Sequence, residues 1–338
     1  VFSCHEAWVY QLRLLARPMD LVVGLRGRPS GDAGWDARMR PVPPAARLIE
    51  LPEALARRQP YGCIIAHNLT DLLDARQLSG PRLLVLHETL EGAALEQHLA
   101  VPLEQFRQAV ARFVDLTAAH AVAVSPLKAR SWGVGGEAVA AAADPADYLP
   151  WDGGLARGLR VANHILRRPR ILRWEFHQQA FDGLPVTLVG HNPEMEGVRA
   201  AAGWEPLKQT FAAHRFYIHT ADPLLEDGYN MAMLEAMAAG LPVLGNRHPT
   251  SPVEHGVSGF LSDDPAELRG YALQLLADRA LAARLGAAAR ETVATHFSSE
   301  RFRAGFGRAI EAAQRRWLAS PHGEPAHSPA MHPPAGTA

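Results

Sequence analysis

The sequence predicts an α/β protein made of two tandem Rossmann-like domains, and three observations point there. The chain has 338 residues, 48% of them hydrophobic, more than one compact core of ordinary size uses. Short apolar runs of strand length alternate with amphipathic or long connecting stretches, a pattern that calls for parallel strands joined by crossovers. The alternation occurs twice, on either side of a stretch rich in Ala, Gly and Pro at residues 133–154.

In the first half, Val1–Cys4, Asp20–Leu25, Arg47–Leu51, Gly62–Ala66, Arg82–Leu86 and Ala119–Val124 read as buried strands, and Trp8–Ala16 and Leu103–Asp115 as helices. The expected first domain covers residues 1–150. The chain opens inside a strand-like run, which suggests that one or two residues precede Val1. In the second half, Leu159–Asn163, Val186–Gly190, Arg215–Thr220, Leu241–Gly245 and Gly259–Leu261 read as strands, and Arg173–Phe181 and Met231–Ala239 as helices. Gly240 is placed to C-cap the latter, with Pro242 just beyond. Ser251-Pro-Val-Glu254 and Asp264-Pro-Ala-Glu267 both have capping-box spacing with Pro at the first helical position. The second of these opens a run of helices to Leu318, so the second domain is expected at 151–318. Residues 319–338, rich in Pro, His, Ala and Gly without periodicity, read as a disordered tail.

Composition narrows the function classes. A formal net charge of −1 gives no global field for nucleic acid. The 16 histidines are scattered, and no HExxH or CxxC spacing occurs, so no metal site is predicted. Cys4 and Cys63 sit beside or within apolar runs, as reduced core thiols of a cytoplasmic protein do. No apolar run reaches membrane-spanning length, and no charged-then-apolar leader precedes the first strand. A nicotinamide enzyme is disfavoured because no strand is followed by GxGxxG.

In doubly wound sheets ligands sit beyond the carboxyl ends of the strands, and this chain puts its unusual polar residues there. The densest stretch is Glu226-Asp-Gly-Tyr-Asn-Met-Ala-Met-Leu-Glu235, running from a loop into a helix. Asn230 is a suitable N-cap, so the amides of Met231, Ala232 and Met233 are expected to face a cleft and to hold phosphate. Gly228 permits close backbone approach, Tyr229 lies beside it, and Glu235, one turn into the helix, is placed to bind a ribose diol. A cationic cluster, Arg167-Arg168-Pro-Arg170-Ile-Leu-Arg173, follows the first strand of the second half, although a solvated basic loop has the same composition.

The segment Glu235-Ala-Met-Ala-Ala-Gly-Leu-Pro-Val243, with Asp227 seven intervening residues before Glu235, resembles the donor-site signature of retaining glycosyltransferases of the GT-B fold, family 4 in particular. The likeness continues through Val253-Glu-His-Gly-Val-Ser-Gly-Phe-Leu261. It implies a nucleotide-sugar cleft between an N-terminal acceptor-side domain and a C-terminal donor-binding domain. It implies transfer of a sugar from a UDP- or GDP-type donor to an acceptor hydroxyl, with retention, without a metal and with no cofactor beyond the nucleotide-sugar co-substrate. The acceptor class stays open among saccharide, lipid-linked and small-molecule hydroxyls, and peripheral membrane association is compatible with it. By spacing, Arg168 and Arg173 match the family's diphosphate-binding Arg and Lys. The family's first acid is usually Glu, so Glu226 or Asp227 takes that role. His87, which ends Leu83-Leu-Val-Leu86, matches the strand-end histidine that faces the transferred sugar. Gly190 and His191, after Val186–Val189, occupy the place of the nucleobase pocket. The family's Gly-rich loop is missing after the first strand; Cys4-His5-Glu6-Ala7-Trp8 stands there, with His5 and Glu6 as acceptor-side candidates and Trp8 read as core packing. His67-Asn68 is a further strand-end pair. These departures keep open a second reading, a catalytically impaired GT-B scaffold that binds nucleotide-sugar or serves as a regulatory subunit.

Overall fold

A computed structural model describes residues 1–25, 34–135 and 138–321 of the chain. Ten strands are named within them: β1 (Met19–Val23), β2 (Ala46–Glu50), β3 (Ile64–Ala66), β4 (Arg82–Leu86), β5 (Ala119–Ala123), β6 (Leu155–Val161), β7 (Val186–Val189), β8 (His214–His219), β9 (Val243–Gly245) and β10 (Gly259–Leu261). Every pairing among them is parallel.

The predicted first strand survives as a short extended segment, Val1–Ser3, that joins two ladders into one sheet. Phe2 N donates to Ile65 O at 2.9 Å, and Ser3 N donates to Val22 O at 2.9 Å. The spatial order of the first sheet is therefore β2-β1-(Val1–Ser3)-β3-β4-β5. In the second, Arg199 bridges Val189, giving (Arg199)-β7-β6-β8-β9-β10. Both are the strand order 3-2-1-4-5-6 of the Rossmann fold. Its switch points fall between Val1–Ser3 and β3, and between β6 and β8, which is where a ligand crevice is expected.

Local capping fixes the helices that border these crevices. The helix Met231–Ala239 starts at Asn230, whose Oδ1 accepts from Met233 N at 2.8 Å, and ends at Gly240 with φ +95. The helix Leu69–Ala75 starts at Asn68 and the helix Pro126–Trp132 at Ser125, each side chain accepting from the third residue on. Asp264 opens the helix Pro265–Ala277 as its spacing predicts. The matching pattern at Ser251–Glu254 opens no helix. There the Glu254 amide is taken by Ser258 Oγ at 2.9 Å, and the chain turns back through Gly256 at φ +79. Trp8–Ala16 divides into a single α turn, Glu6–Val9, and a 3₁₀ segment, Tyr10–Leu15.

The last helix, Ser299–Leu318, crosses back over the first sheet, although the expected second domain included it. Its Phe302, Phe306, Ile310 and Ala313 are buried with Trp8, Leu12, Leu83, Val85 and Val122. Burying an aromatic side chain of this kind stabilises by about 2–3 kcal/mol, so the helix ties the two halves together. Of the predicted tail, residues 322–338 lie outside the described residues, as does Gly136 of the Gly-rich stretch.

Candidate active site

The carboxyl ends of the two sheets face each other, and residues of one half close on residues of the other. Lys128, in the helix Pro126–Trp132, reaches both acids of the second half, Glu226 Oε1 at 2.7 Å and Asp227 Oδ2 at 3.1 Å. Thr89 Oγ1 donates to Leu225 O at 2.7 Å beside them. Burial lowers the Lys128 pKa, but the two carboxylates more than offset it, and the ammonium sits above its ordinary value. Burial likewise raises Glu226, yet the Lys128 charge and hydrogen bond, with help from the Asp227 amide and Arg168, hold it below the usual carboxylate range.

The two acids are not equivalent. The Asp227 side chain is 2% exposed, and Oδ1 also accepts from Thr250 Oγ1 at 3.3 Å. The Glu226 side chain is 16% exposed and has Arg168 Nη2 3.7 Å from its second oxygen. Spacing selects Asp227 for the first acidic position; Glu226 is the carboxylate nearer solvent. Gly228 follows in a gap that only glycine fits, since a Cβ would lie 2.7 Å from the His248 ring. Tyr229 packs edge-on against Phe297, and burial and the two neighbouring acids push its phenol pKa up.

The helix start differs from the expectation in one respect. Met233 N is capped by Asn230, so Met231 and Ala232 alone keep amides without an intrahelical or capping partner. Met231 Sδ accepts from Gln11 Nε2 of the first half at 3.3 Å. Glu235 is buried, and its carboxylate is ion-paired with Arg40, which reaches across from the first half and also lies 4.4 Å over the Trp204 ring. Tyr10, Gln11, Tyr148 and Met231 line the same pocket. The ribose position read from the sequence is thus held by a guanidinium in this state.

The four arginines of 167–173 point to different partners. Arg168 pairs with Glu96 of the first half and approaches Glu226. Arg173 has φ +45, faces Asp263 at 3.4 Å and stacks 4.5 Å over the Phe176 ring. Arg167 pairs with Glu194 at 2.6 Å, and Arg170 is exposed. A non-glycine residue in the left-handed region is strained, and such strain gathers where a side chain must be aimed. Gly190 has φ +146, and a Cβ there would lie 2.1 Å from Ala162 O, so the turn after β7 admits glycine alone. His191, exposed, has its amide bound to Asn163 Oδ1 at 2.8 Å.

On the first half, His87 follows β4 and lies beside His67, which follows β3, with Nδ1 of His67 3.0 Å from Nε2 of His87. Trp8 meets both imidazoles edge-on at 4.8 Å. Burial lowers His67 well below its ordinary value. Burial, with Lys128 and His5 nearby, lowers His87 to about 3, so both rings are neutral near pH 7. Burial pushes the adjacent Cys4 thiol up to about 12. His5 is exposed, and Glu6 Oε1 accepts from Asp36 N at 3.4 Å, within its own half.

Local sequence reading misses Lys128 and Arg40. A signal for the first existed, because Ser125-Pro126 marks a helix start three residues before Lys128; nothing local marked Arg40.

Residues 176–278 match the family model described as glycosyl transferases group 1. N-acetyl-alpha-D-glucosaminyl L-malate synthase of Bacillus anthracis is 36% identical over 80 residues, 22% of this chain, so the match spans 21% of that relative's length. HepE of Anabaena, solved with UDP and glucose, superposes with a TM-score of 0.64 at 15% identity, covering 92% of this chain and 98% of that one. Sucrose-phosphate synthase of Thermosynechococcus elongatus gives 0.62 at 15% identity, covering 92% of each chain. TarM of S. aureus, solved with UDP and alpha-GlcNAc-glycerol, gives 0.56 at 13% identity, and this chain covers 55% of it. The architecture these structures share with the chain is the GT-B fold, two facing Rossmann-like units around a cleft.

Proposed function

We propose that the chain is a retaining glycosyltransferase of family 4 type that moves a sugar from a nucleoside-diphosphate sugar to an acceptor hydroxyl, with no metal in the transfer step. The observation that carries this reading is the loop and helix 226–239. It lies within the segment matching the glycosyltransferase family and turns Glu226 and Asp227 toward Lys128 on the opposite half. UDP in the HepE and TarM structures favours a UDP-type donor.

In this reading Arg168 and Arg173, with the Met231 and Ala232 amides, neutralise the diphosphate as its charge grows. Glu226, the more exposed acid, binds sugar hydroxyls, while Asp227 and Lys128 fix its position. Gly190 and His191 border the nucleobase. Neutral His87 accepts or donates a hydrogen bond at the transferred sugar. The leaving phosphate takes the acceptor proton on the same face. The acceptor is a saccharide, lipid-linked or small-molecule hydroxyl, and a cytoplasmic location suits a nucleotide-sugar donor. Among the described residues no helix is long and apolar enough to cross a membrane.

The test is a screen of UDP-, GDP- and ADP-sugars by melting temperature and by release of nucleoside diphosphate, with EDTA present throughout. One donor should raise the melting temperature, since a ligand at a hundred times its Kd adds about 2.7 kcal/mol of stability. The same donor should be turned over in EDTA. No shift with any of the three overturns the reading; turnover that requires Mg²⁺ or Mn²⁺ overturns the metal-free step.

The Asp at the first acidic position and the missing Gly-rich loop after the first strand favour one alternative, a nucleotide-sugar-binding or regulatory subunit without turnover. A donor that binds but is neither hydrolysed nor transferred would select that alternative. In either case the donor must displace Arg40 from Glu235. Glu235→Gln keeps the shape and removes the charge that orients the diol. A hydrogen bond to a charged group contributes about 1.5–3 kcal/mol, so calorimetry should show nucleotide affinity roughly ten- to a hundredfold weaker. Unchanged affinity, with an unchanged circular dichroism spectrum, would remove Glu235 from the ribose site.

A further inference from the structure

Cys4, His67 and His87 come from three distant parts of the chain, yet their ligand atoms all lie within 4.8 Å of one another. The topology explains why. Val1–Ser3, β3 and β4 are neighbours in the first sheet, and each of the three residues is the first after its strand, so parallel strands deliver them side by side at one edge. The position is the switch point of that sheet. Among the described residues, this is the one cluster of metal-ligating groups.

The site is built to hold its shape. His67 N donates to Asp71 Oδ2 at 2.9 Å, and Asp71 N is held by Asn68 Oδ1 at 2.8 Å, which fixes the loop after β3. The indole of Trp8 packs against both imidazoles and shields them. Two polar atoms here are buried without a hydrogen-bond partner, His67 Nε2 and Trp8 Nε1. Buried polar atoms are rarely left unpaired; His67 Nε2 lies on the ring side away from His87, so the nitrogen that faces the cluster is Nδ1.

We propose that Cys4, His67 and His87 form a zinc(II) site with an open fourth position. One thiolate and two imidazoles are a borderline-soft donor set, which suits zinc and disfavours Mg²⁺ or Ca²⁺. Tetrahedral zinc with bonds of about 2.0–2.3 Å needs ligand atoms roughly 3.3–3.7 Å apart. The imidazole pair already stands at 3.0 Å, so the cysteine side chain makes most of the adjustment. Binding forms a Zn–S bond and releases the Cys4 thiol proton to solvent, while both histidines bind as neutral rings; a water completes the shell. The site differs from the transfer machinery except at His87. If the proposed transfer holds, zinc there takes His87 from the sugar and switches the enzyme off.

The binding test uses cobalt(II) as a spectroscopic stand-in, on the full chain kept reduced. One equivalent should produce the near-ultraviolet thiolate-to-cobalt charge-transfer band and the visible bands of a tetrahedral ion, and zinc should displace it. Both signals should vanish in Cys4→Ser and in His67→Gln and persist in Cys63→Ser. Cys4 is half-buried and serine is close to it in size, so its serine variant disturbs the core less than the His67 variant does. Zinc affinity by competition should fall more than about a hundredfold in Cys4→Ser, beyond the range seen when an outer-shell partner is lost. Absence of the thiolate band at one equivalent, or a band that survives Cys4→Ser, overturns the site. For the switch, one equivalent of zinc should stop nucleotide release, EDTA should restore it, and Cys4→Ser should escape inhibition. If no donor is ever turned over, the proposed function fails, while the cobalt spectrum still decides the metal site.

Discussion

Lys128→Met is expected to cost the protein about 3–5 kcal/mol of stability, because it leaves Asp227 buried without a cation and Glu226 with Arg168 alone. The Lys128 side chain is 8% exposed, and its ammonium serves both Glu226 and Asp227. Solvent screening of the kind that makes surface ion pairs nearly worthless does not reach this group. The loss should not be read as the worth of the ion pairs. It is mostly the desolvation penalty of two acids whose shared cation has gone, and that distinction can be measured. Adding Glu226→Gln and Asp227→Asn to Lys128→Met removes the stranded charges, so the triple variant should recover most of the lost stability. Activity should stay low in both, since Lys128 and Glu226 together define the sugar side of the cleft in the proposed reading. Urea unfolding followed by tryptophan fluorescence checks the first part, and donor turnover the second. A Lys128→Met protein as stable as the parent would mean that water reaches these carboxylates and that the cleft is open in solution.

The elements legible in the sequence are those whose signal is local. β4 and β10 fall where alternation of apolar runs puts them, and the helix Met231–Ala239 is bounded by its own Asn230 cap and Gly240 stop. Residues at strand ends were legible as a class, because parallel sheets collect ligand-facing groups there. What stayed hidden depends on which strands become neighbours. Cys4, His67 and His87 carry no motif spacing, and they meet because the first, fourth and fifth strands of a 3-2-1-4-5-6 sheet adjoin. Lys128 finds Glu226 only across the cleft. Capping chemistry was a good but not sufficient guide. Ser251 and Asp264 carry the same signature, yet only the chain after Asp264 has apolar residues, Leu268, Ala272 and Leu275, to bury on one helical face. After Ser251 the chain meets Gly256 and Ser258, and a turn wins. The short helices Leu69–Ala75 and Pro126–Trp132 leave no periodic signal, because one or two turns give too few periods to register.

Arg173→Ala is expected to lower kcat on the order of a hundredfold while raising the donor KM far less. Charge on the diphosphate grows as the glycosidic bond breaks, so a guanidinium aimed at it does more for the transition state than for the bound donor. Arg173→Lys should restore part of the rate, because it returns the charge without the bidentate fork. Alanine and lysine both keep a Cβ at φ +45, so neither relieves the backbone, while alanine also gives up the stack on Phe176. Arg173→Gly separates the two effects. It should lose as much kcat as alanine while gaining roughly 1 kcal/mol of stability, since glycine enters the left-handed region without the Cβ clash. Arg168→Ala should also lower kcat, with an added stability loss because Glu96 loses its partner and Glu226 its second cation. Arg170, exposed on the same loop, is the internal control and should tolerate alanine. If steady-state kinetics instead show Arg170→Ala to be crippled while Arg168→Ala and Arg173→Ala work normally, the cationic groups that face the diphosphate are not these two. The left-handed turn at Arg173 would then serve only to start the helix Trp174–Phe181, and the assignment would move along the loop.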